Sequence, residues 1–240
     1  MDVSWEEFGW ERLGHGVGRC RLPGWDATVG LVAGAGGVLL CDTGSTLREG
    51  TEIRDRVRAL LGRDVTHVAL SHPHFDHVLG TAVFSGAEVY GAAGMADLLR
   101  READGIRASA VRHGVSGQDA SAAVDVLVAP DHEVADALTL DLGGGRRVLL
   151  ANLGPAHSGH DLVAVVPGAP AVVFCGDLVE ESGEPQAGPD AVPSRWPGAL
   201  DRLLALGGED AVYVPGHGAV VNAAFVREQR DRLAALHGSV

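Results

Sequence analysis

Residues 71–77 read SHPHFDH, with His72 and His74 two positions apart and Asp76 and His77 directly after them. In an extended segment alternate side chains point the same way, so both imidazoles of a His-x-His pair can reach one cation. A turn after His74 would aim Asp76 and His77 at a neighbouring position. Imidazole and carboxylate donors suit zinc, and also iron or manganese, better than calcium. A single histidine is ordinarily a packed or surface residue. Three histidines and an aspartate in this short string are hard to assign to packing, because ionisable groups so close together are costly to bury without a cation.

Three later positions carry donors of the same kind: His157 in GPAHSGHD, Asp177 in VVFCGD and His217 in VPGHG. Each stands in Gly- and Pro-containing sequence at a predicted strand end, where functional groups gather. Singly each reads as structural; together, in this order, they extend the 72–77 cluster. His160 is an alternative to His157 on residue type. His15, His67, His113, His132 and His237 lack such a context and read as ordinary residues. Asp42 opens DTG at 42–44, where it either orients a ligand or caps the turn before Thr43 and Gly44.

The elements that must position these groups are legible from periodicity. Residues 27–33 and 37–42 are short Val- and Leu-rich runs flanking GAGG, which predicts a hairpin. Residues 49–61 are predicted helical from the spacing of Ile53, Val57, Leu60 and Leu61, with Gly62 as the stop. A strand is predicted at 65–70, a short one at 88–91 and a helix at 95–101. Residues 102–135 are polar, Ala-rich and weakly periodic, so irregular structure with room for a short helix is expected. Strands follow at 138–142, 148–153, 162–166 and 171–175, then a Gly/Pro/Ser loop at 182–195. Two helices close the chain. Pro197 starts one with a Leu200, Leu203, Leu204 face, and Phe225, Val226, Leu233 and Leu236 mark the other. This order fits two packed sheets with helices outside, in a single domain spanning 1–240.

Composition narrows the function. The chain has 240 residues and net charge −13; all 19 basic side chains are arginine and none is lysine. Schiff-base lysine chemistry and a Walker-type phosphate loop are therefore excluded. The acidic balance disfavours nucleic acid and anionic membranes as partners. Cys20, Cys41 and Cys175 are widely spaced and odd in number, so buried thiols in a reducing compartment are expected. The acidic start, MDVSWEE, lacks signal-peptide character. The longest apolar stretch, 163–175, is broken by Pro167, Gly168 and Pro170, so a cytoplasmic protein without a membrane span is expected.

The HxHxDH string, followed by His157, Asp177 and GHG at 216–218, with DTG at 42–44, resembles the metallo-β-lactamase superfamily of metal-dependent hydrolases over residues 38–218. The resemblance implies an α/β fold, an αββα sandwich, with a dinuclear site at one edge. Two divalent cations are implied, zinc first, with iron or manganese as alternatives. By position, His72, His74 and His157 would hold the first, and Asp76, His77 and His217 the second, with Asp177 bridging. Asp42 would support a ligand from behind. A small residue is usual in the family where His160 stands here, and the resemblance favours His157, which Gly154 and Pro155 precede in the expected way.

Paired cations can share a water and leave hydroxide available at neutral pH for attack on a carbonyl or phosphoryl centre, with Asp76 or Asp177 moving a proton to the leaving group. An aspartate at 177, where β-lactamases with a cysteine ligand carry that cysteine, is more similar to thioesterase, lactonase and arylsulfatase-type branches. Quorum-quenching lactonases tend to carry tyrosine where Glu180 stands. The expected reaction is hydrolysis of a small ester, thioester, lactone or lactam. The alternatives are a mononuclear-iron oxidoreductase of the persulfide dioxygenase type and a non-catalytic metal-binding protein. Pocket walls are expected from loops 14–26 and 178–196. Trp25 and Trp196 either offer apolar surface to a ligand or cover the core, and Glu180 and Glu181 read as solvated.

Overall fold

Short apolar runs separated by glycine turns form two sheets in the computed structural model, which describes residues 4–236 and the backbone of His237. Residues 1–3 of the acidic start and the His237 side chain lie outside the described residues. In the first sheet, β1 (Glu11–Gly14), β2 (Val17–Arg21), β3 (Thr28–Ala33), β4 (Val38–Cys41), β5 (His67–Ala69), β6 (Glu88–Ala92) and β7 (His132–Val134) lie side by side in chain order. β1 to β4 are antiparallel neighbours, and β4 to β7 are parallel. The predicted 27–42 hairpin is β3 and β4. α1 (Leu47–Leu61) connects β4 to β5; Thr46 Oγ accepts from the Glu49 N–H at its start, and Gly62 closes it in the left-handed conformation.

The single-turn α2 (Phe75–Val78) follows β5, and α3 (Met95–Arg101) follows β6. The 102–135 region differs from expectation. It holds α4 (Ala103–Arg112) and α5 (Gly117–Val124), and β7 lies at its end. Their buried faces consist of Ile106, Ala110, Ala120, Ala123 and Val124. Alanine adds little to an apolar periodicity, so tertiary packing rather than pattern reveals these helices.

The second sheet has the order β12-β11-β10-β9-β8, built from β8 (Ala137–Asp141), β9 (Arg147–Asn152), β10 (Leu162–Val166), β11 (Val172–Glu180) and β12 (Val212–His217). β11 runs five residues past the predicted end at 175, so Asp177 lies inside the strand. α6 (Trp196–Gly207) and α7 (Ala223–His237) cover this sheet. On α7, Val226 and Leu233 are buried, but Leu236 is 72% exposed and lies off the expected apolar face.

Period-two alternation sorts side chains into three layers. Leu31 and Leu40 pack with Ile53 and Val57 of α1. Val32 and Leu39 face Leu150, Phe174 and Val214 between the sheets. Val173 and Cys175 face Trp196, Leu200 and Leu203 outside the second sheet. The chain is thus an αββα sandwich. At one edge the two sheets are tied: the Leu162 N–H donates to the Ser71 carbonyl at 2.7 Å, and Ala27 bridges to His217.

The layers set a stability contrast. Ile53→Ala should lower unfolding free energy by about 2–5 kcal/mol through an unfilled core site, whereas Leu236→Ala should stay within about 0.5 kcal/mol. Urea unfolding monitored by circular dichroism measures both, and equal losses would contradict the packing described.

Candidate metal centre

The five histidines of the sequence motifs arrive at the tied edge on three segments. His72 and His74 follow β5 through a bend, His74 in extended backbone, and their ring centroids lie 4.5 Å apart. His74 is the N-terminal cap of α2, whose one turn swings Asp76 and His77 toward the same space. His157 lies in the loop between β9 and β10, and His217 ends β12. Asp177 enters from β11. Close approach here depends on glycine: a Cβ on Gly216 would collide with Asp177 Oδ1, and one on Gly176 (φ +53°) would lie 2.7 Å from Ser71 Cβ.

Two groups of donor atoms result, sharing Asp177. Around the first, His72 Nε2 and His157 Nε2 each lie 3.5 Å from Asp177 Oδ2, and His74 Nδ1 is 3.1 Å from His157 Nε2. Around the second, His77 Nε2 is 3.3 Å from Asp177 Oδ1, 3.5 Å from Asp76 Oδ2 and 3.4 Å from His217 Nε2. His217 Nε2 is 3.3 Å from Asp76 Oδ2 and 3.4 Å from Asp177 Oδ2. Donors at such separations surround a point about 2.1 Å from each in a tetrahedron, the usual zinc–nitrogen and zinc–oxygen distance. His72 Nε2 and Asp177 Oδ1 are buried without a hydrogen-bond partner. The residues present therefore fit a divalent cation in each group.

The outward nitrogens explain why the inward ones are free. His77 Nδ1–H donates to Asp42 Oδ2 at 2.9 Å, His74 Nε2–H to Asp190 Oδ2 at 3.0 Å, and His217 Nδ1–H to the Trp25 carbonyl at 2.7 Å. His72 Nδ1 lies 2.9 Å from Ser71 Oγ, whose own proton goes to Asp42. An N–H fixed on one side of the ring leaves a lone pair on the other, facing the cluster. His157 is the exception, with Nδ1 unpartnered and its ring edge against Trp196. Asp42 holds this arrangement from a left-handed backbone (φ 63°), accepting from the Ser71 N–H and Oγ–H as well as from His77.

Electrostatics separate the rings. Burial, reinforced by His77, holds the His72 pKa well below the ordinary histidine value, and burial puts His157 at about 4, so both rings are neutral donors at neutral pH. For His77 burial is outweighed by Asp177, Asp76 and Asp42, which raise its pKa well above normal; for His217 it is outweighed chiefly by Asp177, to about 11. Burial of Asp177 is in turn overcome by His77, His72 and His217, and its pKa falls well below the carboxylate range. The same carboxylates can balance protons on imidazole or a divalent cation, so cation binding here is coupled to proton release.

A sequence model of the metallo-beta-lactamase superfamily matches residues 22–217, which include all of these donors. The chain belongs to the metallo-beta-lactamase superfamily. Members of this superfamily are generally hydrolases and typically bind metal ions. The chain is 27% identical over 197 residues to metallo-beta-lactamase domain-containing protein 1 of Xenopus laevis, covering 80% of this chain and 71% of that one. In fold it is similar to a metallo-beta-lactamase from Pontibacter korlensis (TM-score 0.72, 20% identity, 93% and 97% of the two chains). It is also similar to the metallo-beta-lactamase FIM-1 from Pseudomonas aeruginosa in its mono-zinc form (TM-score 0.71, 17% identity, 95% of each chain).

Within this superfamily fold, all seven donors named from the sequence converge, with Asp42 directly behind them. Other readings change. His160 stays outside the cluster, with Nδ1 2.9 Å from the Ala93 carbonyl, so it does not replace His157. Trp196 is fully buried, and its indole N–H donates to the Leu178 carbonyl, which makes it core rather than pocket wall. Trp25 packs edge-on against Phe75 and His113. Glu180 is buried, not solvated, and partly buried Glu181 accepts from the Ala219 N–H.

Sequence reasoning missed Asp190 and Asp161. Asp190 lies in the 182–195 loop, 116 residues from the His74 it touches, and no local pattern marks it. Asp161 gathers the Ala156 N–H, Ser158 N–H and Ser158 Oγ–H around the His157 loop; burial raises its pKa to about 7 against those donors. The one available signal was its position four residues after His157. No helix of the described residues is long and apolar enough to cross a membrane.

If Asp190 sets the ring orientation of His74, Asp190→Ala should weaken zinc affinity about 10–100-fold, and Asp190→Asn, which keeps an acceptor oxygen, should lose less. Competition with a chromophoric chelator reads this directly. Unaltered affinity in both variants would reduce the pair to a surface contact.

Proposed function

We propose that this chain is a hydrolase using two divalent cations, zinc in the first instance, to cleave a small ester, thioester, lactone or lactam. The observation that carries the reading is the pair of donor groups sharing Asp177, with edges of 3.1–3.5 Å and four imidazoles backed on their outer nitrogens. His72, His74, His157 and Asp177 would hold one cation, and Asp76, His77, His217 and Asp177 the other. Bound there, the cations would supply an activated water at neutral pH and a Lewis acid for the carbonyl oxygen.

The protein's own residues have distinct tasks in this scheme. Asp177 is engaged on both oxygens by imidazoles of the two groups, so its role is to hold them together. Asp76 is addressed through Oδ2 by His77 and His217. That leaves Asp76 as the carboxylate to take a proton from the nucleophile and return it to the leaving group. Asp42, Ser71, Asp190 and the Trp25 carbonyl keep the rings aimed and reduce reorganisation during turnover.

A mononuclear-iron oxidoreductase would need only the first group. The second group, as closely spaced as the first, supports the dinuclear hydrolase; enzymes of the mononuclear-iron type can also retain those residues, so metal content and oxygen consumption with a thiol persulfide separate the two. Aspartate at 177 and the absence of lysine point away from cysteine-ligand β-lactamases and from polyanionic substrates.

Wild-type protein should bind two equivalents of zinc by elemental analysis and hydrolyse at least one member of an ester, thioester, lactone and lactam panel. His72→Ala and Asp177→Ala should each lose metal, and kcat/KM should fall by about 10²–10³-fold or more. Turnover that survives chelation, or a metal-loaded protein inert on the whole panel, would overturn the assignment.

A further inference from the structure

Glu180 is a buried carboxylate that the scheme above does not use. It lies in the stretch of β11 where pairing with β12 breaks register: Gly176 is opposite Pro215, and the next pair is Glu180 with His217. Four steps on one strand thus oppose two on the other. Regular alternation would put residues 177 and 180 on opposite faces; the irregularity brings both carboxylates to the same side. α7 holds the segment in this shape through buried Gln229, whose Oε1 accepts from the Glu180 N–H at 3.0 Å and whose Nε2–H donates to the Leu178 carbonyl at 2.8 Å.

The Glu180 carboxylate, Asp177 and His217 each present a donor atom within 4.8 Å of the others. Glu180 Oε1 accepts from Ser182 Oγ at 2.5 Å, and no arginine faces the carboxylate among the described residues. Asp177, in the same group, is buried as well. A carboxylate at 6% exposure, with His217 and no arginine as its basic neighbour, is costly. Two divalent cations bring more positive charge than Asp76 and Asp177 carry, and Glu180 narrows that difference.

Resting on the dinuclear reading, we propose that Glu180 is a further donor to the His217-side cation and strengthens manganese or iron(II) binding at that position. Glu180 groups with Asp177 and His217, so it adds a carboxylate on the His217 side of the site. Carboxylate donors suit manganese and iron(II), and zinc accepts them too.

The test uses the full chain stripped of metal and titrated with Zn²⁺ or Mn²⁺ against a chromophoric chelator, with the electron paramagnetic resonance of bound Mn²⁺ as a second readout. Wild type should take two equivalents of zinc, and Mn²⁺ should compete for one of them. Glu180→Gln keeps the side-chain shape and should lower Mn²⁺ affinity at that position at least about tenfold with a changed resonance spectrum, while both zinc equivalents remain. Ser182→Ala, which only unties the carboxylate, should show a smaller loss. Unchanged Mn²⁺ affinity and spectrum in Glu180→Gln would overturn the proposal, as would a parallel loss of both metals with a lowered unfolding temperature, which marks a packing role. A wild-type protein that binds a single equivalent would instead sink the dinuclear reading itself.

Discussion

One buried carboxylate sets the terms for the rest of the molecule. Asp177 is 8% exposed and meets imidazole nitrogens of His72, His77, His157 and His217 at 3.3–3.5 Å. A carboxylate so placed must be compensated by positive charge, from protonated imidazole or from a cation. Four segments distant in sequence have to meet there, and their backbones must tolerate crowding. Gly216 and Gly176 supply that tolerance on the second sheet, and the left-handed Asp42 supplies it on the first. The two sheets are joined at the same edge by the Leu162–Ser71 hydrogen bond and the Ala27–His217 bridge. A shift between the sheets would therefore alter the donor spacing.

Behind the donors is a shell of acceptors drawn from unlike sources. Asp42 comes from the end of β4, Trp25 from the β2–β3 turn, Asp190 from the long loop before α6 and Ser71 from the histidine string itself. Each fixes an N–H on the outside of a ring. The sandwich works as a frame in which strands place the donors and loops choose their tautomers. Such support accounts for much of the affinity of metal sites in general. It also divides the site by environment: Asp42 and Ser71 are buried, whereas Asp190 is exposed on its loop. The His74 side is thus held by the part of the shell most open to solvent.

Much of the fold was legible because apolar periodicity reports burial directly. The 27–42 hairpin, α1 and the strands of the second sheet follow alternation or 3.6-residue spacing, and the layers they form are those expected. Where the pattern was weak, the reading failed for physical reasons. α4 and α5 bury alanines, whose small side chains give little periodic signal. Leu236 kept its place in the helical spacing of α7 but extends past the surface the helix covers. β11 continues beyond Cys175 because its irregular pairing with β12 is stabilised by Gln229 from α7, a contact no local window contains.

The chain's own residue types determined the candidate inventory: His72, His74, Asp76 and His77 stand out by chemistry and short spacing, His157, Asp177 and His217 by their order and the family resemblance, and the absence of lysine removes whole classes of reaction. Tertiary structure alone decided which nitrogen of each ring faces inward, that Asp190 supports His74, that Trp196 belongs to the core, and that Glu180 is buried beside His217. Spacing along a chain reveals which groups can be neighbours when they lie within a few residues. Ring orientation, desolvation and partners over a hundred residues away depend on how the two sheets pack, and that packing is a property of the whole sandwich.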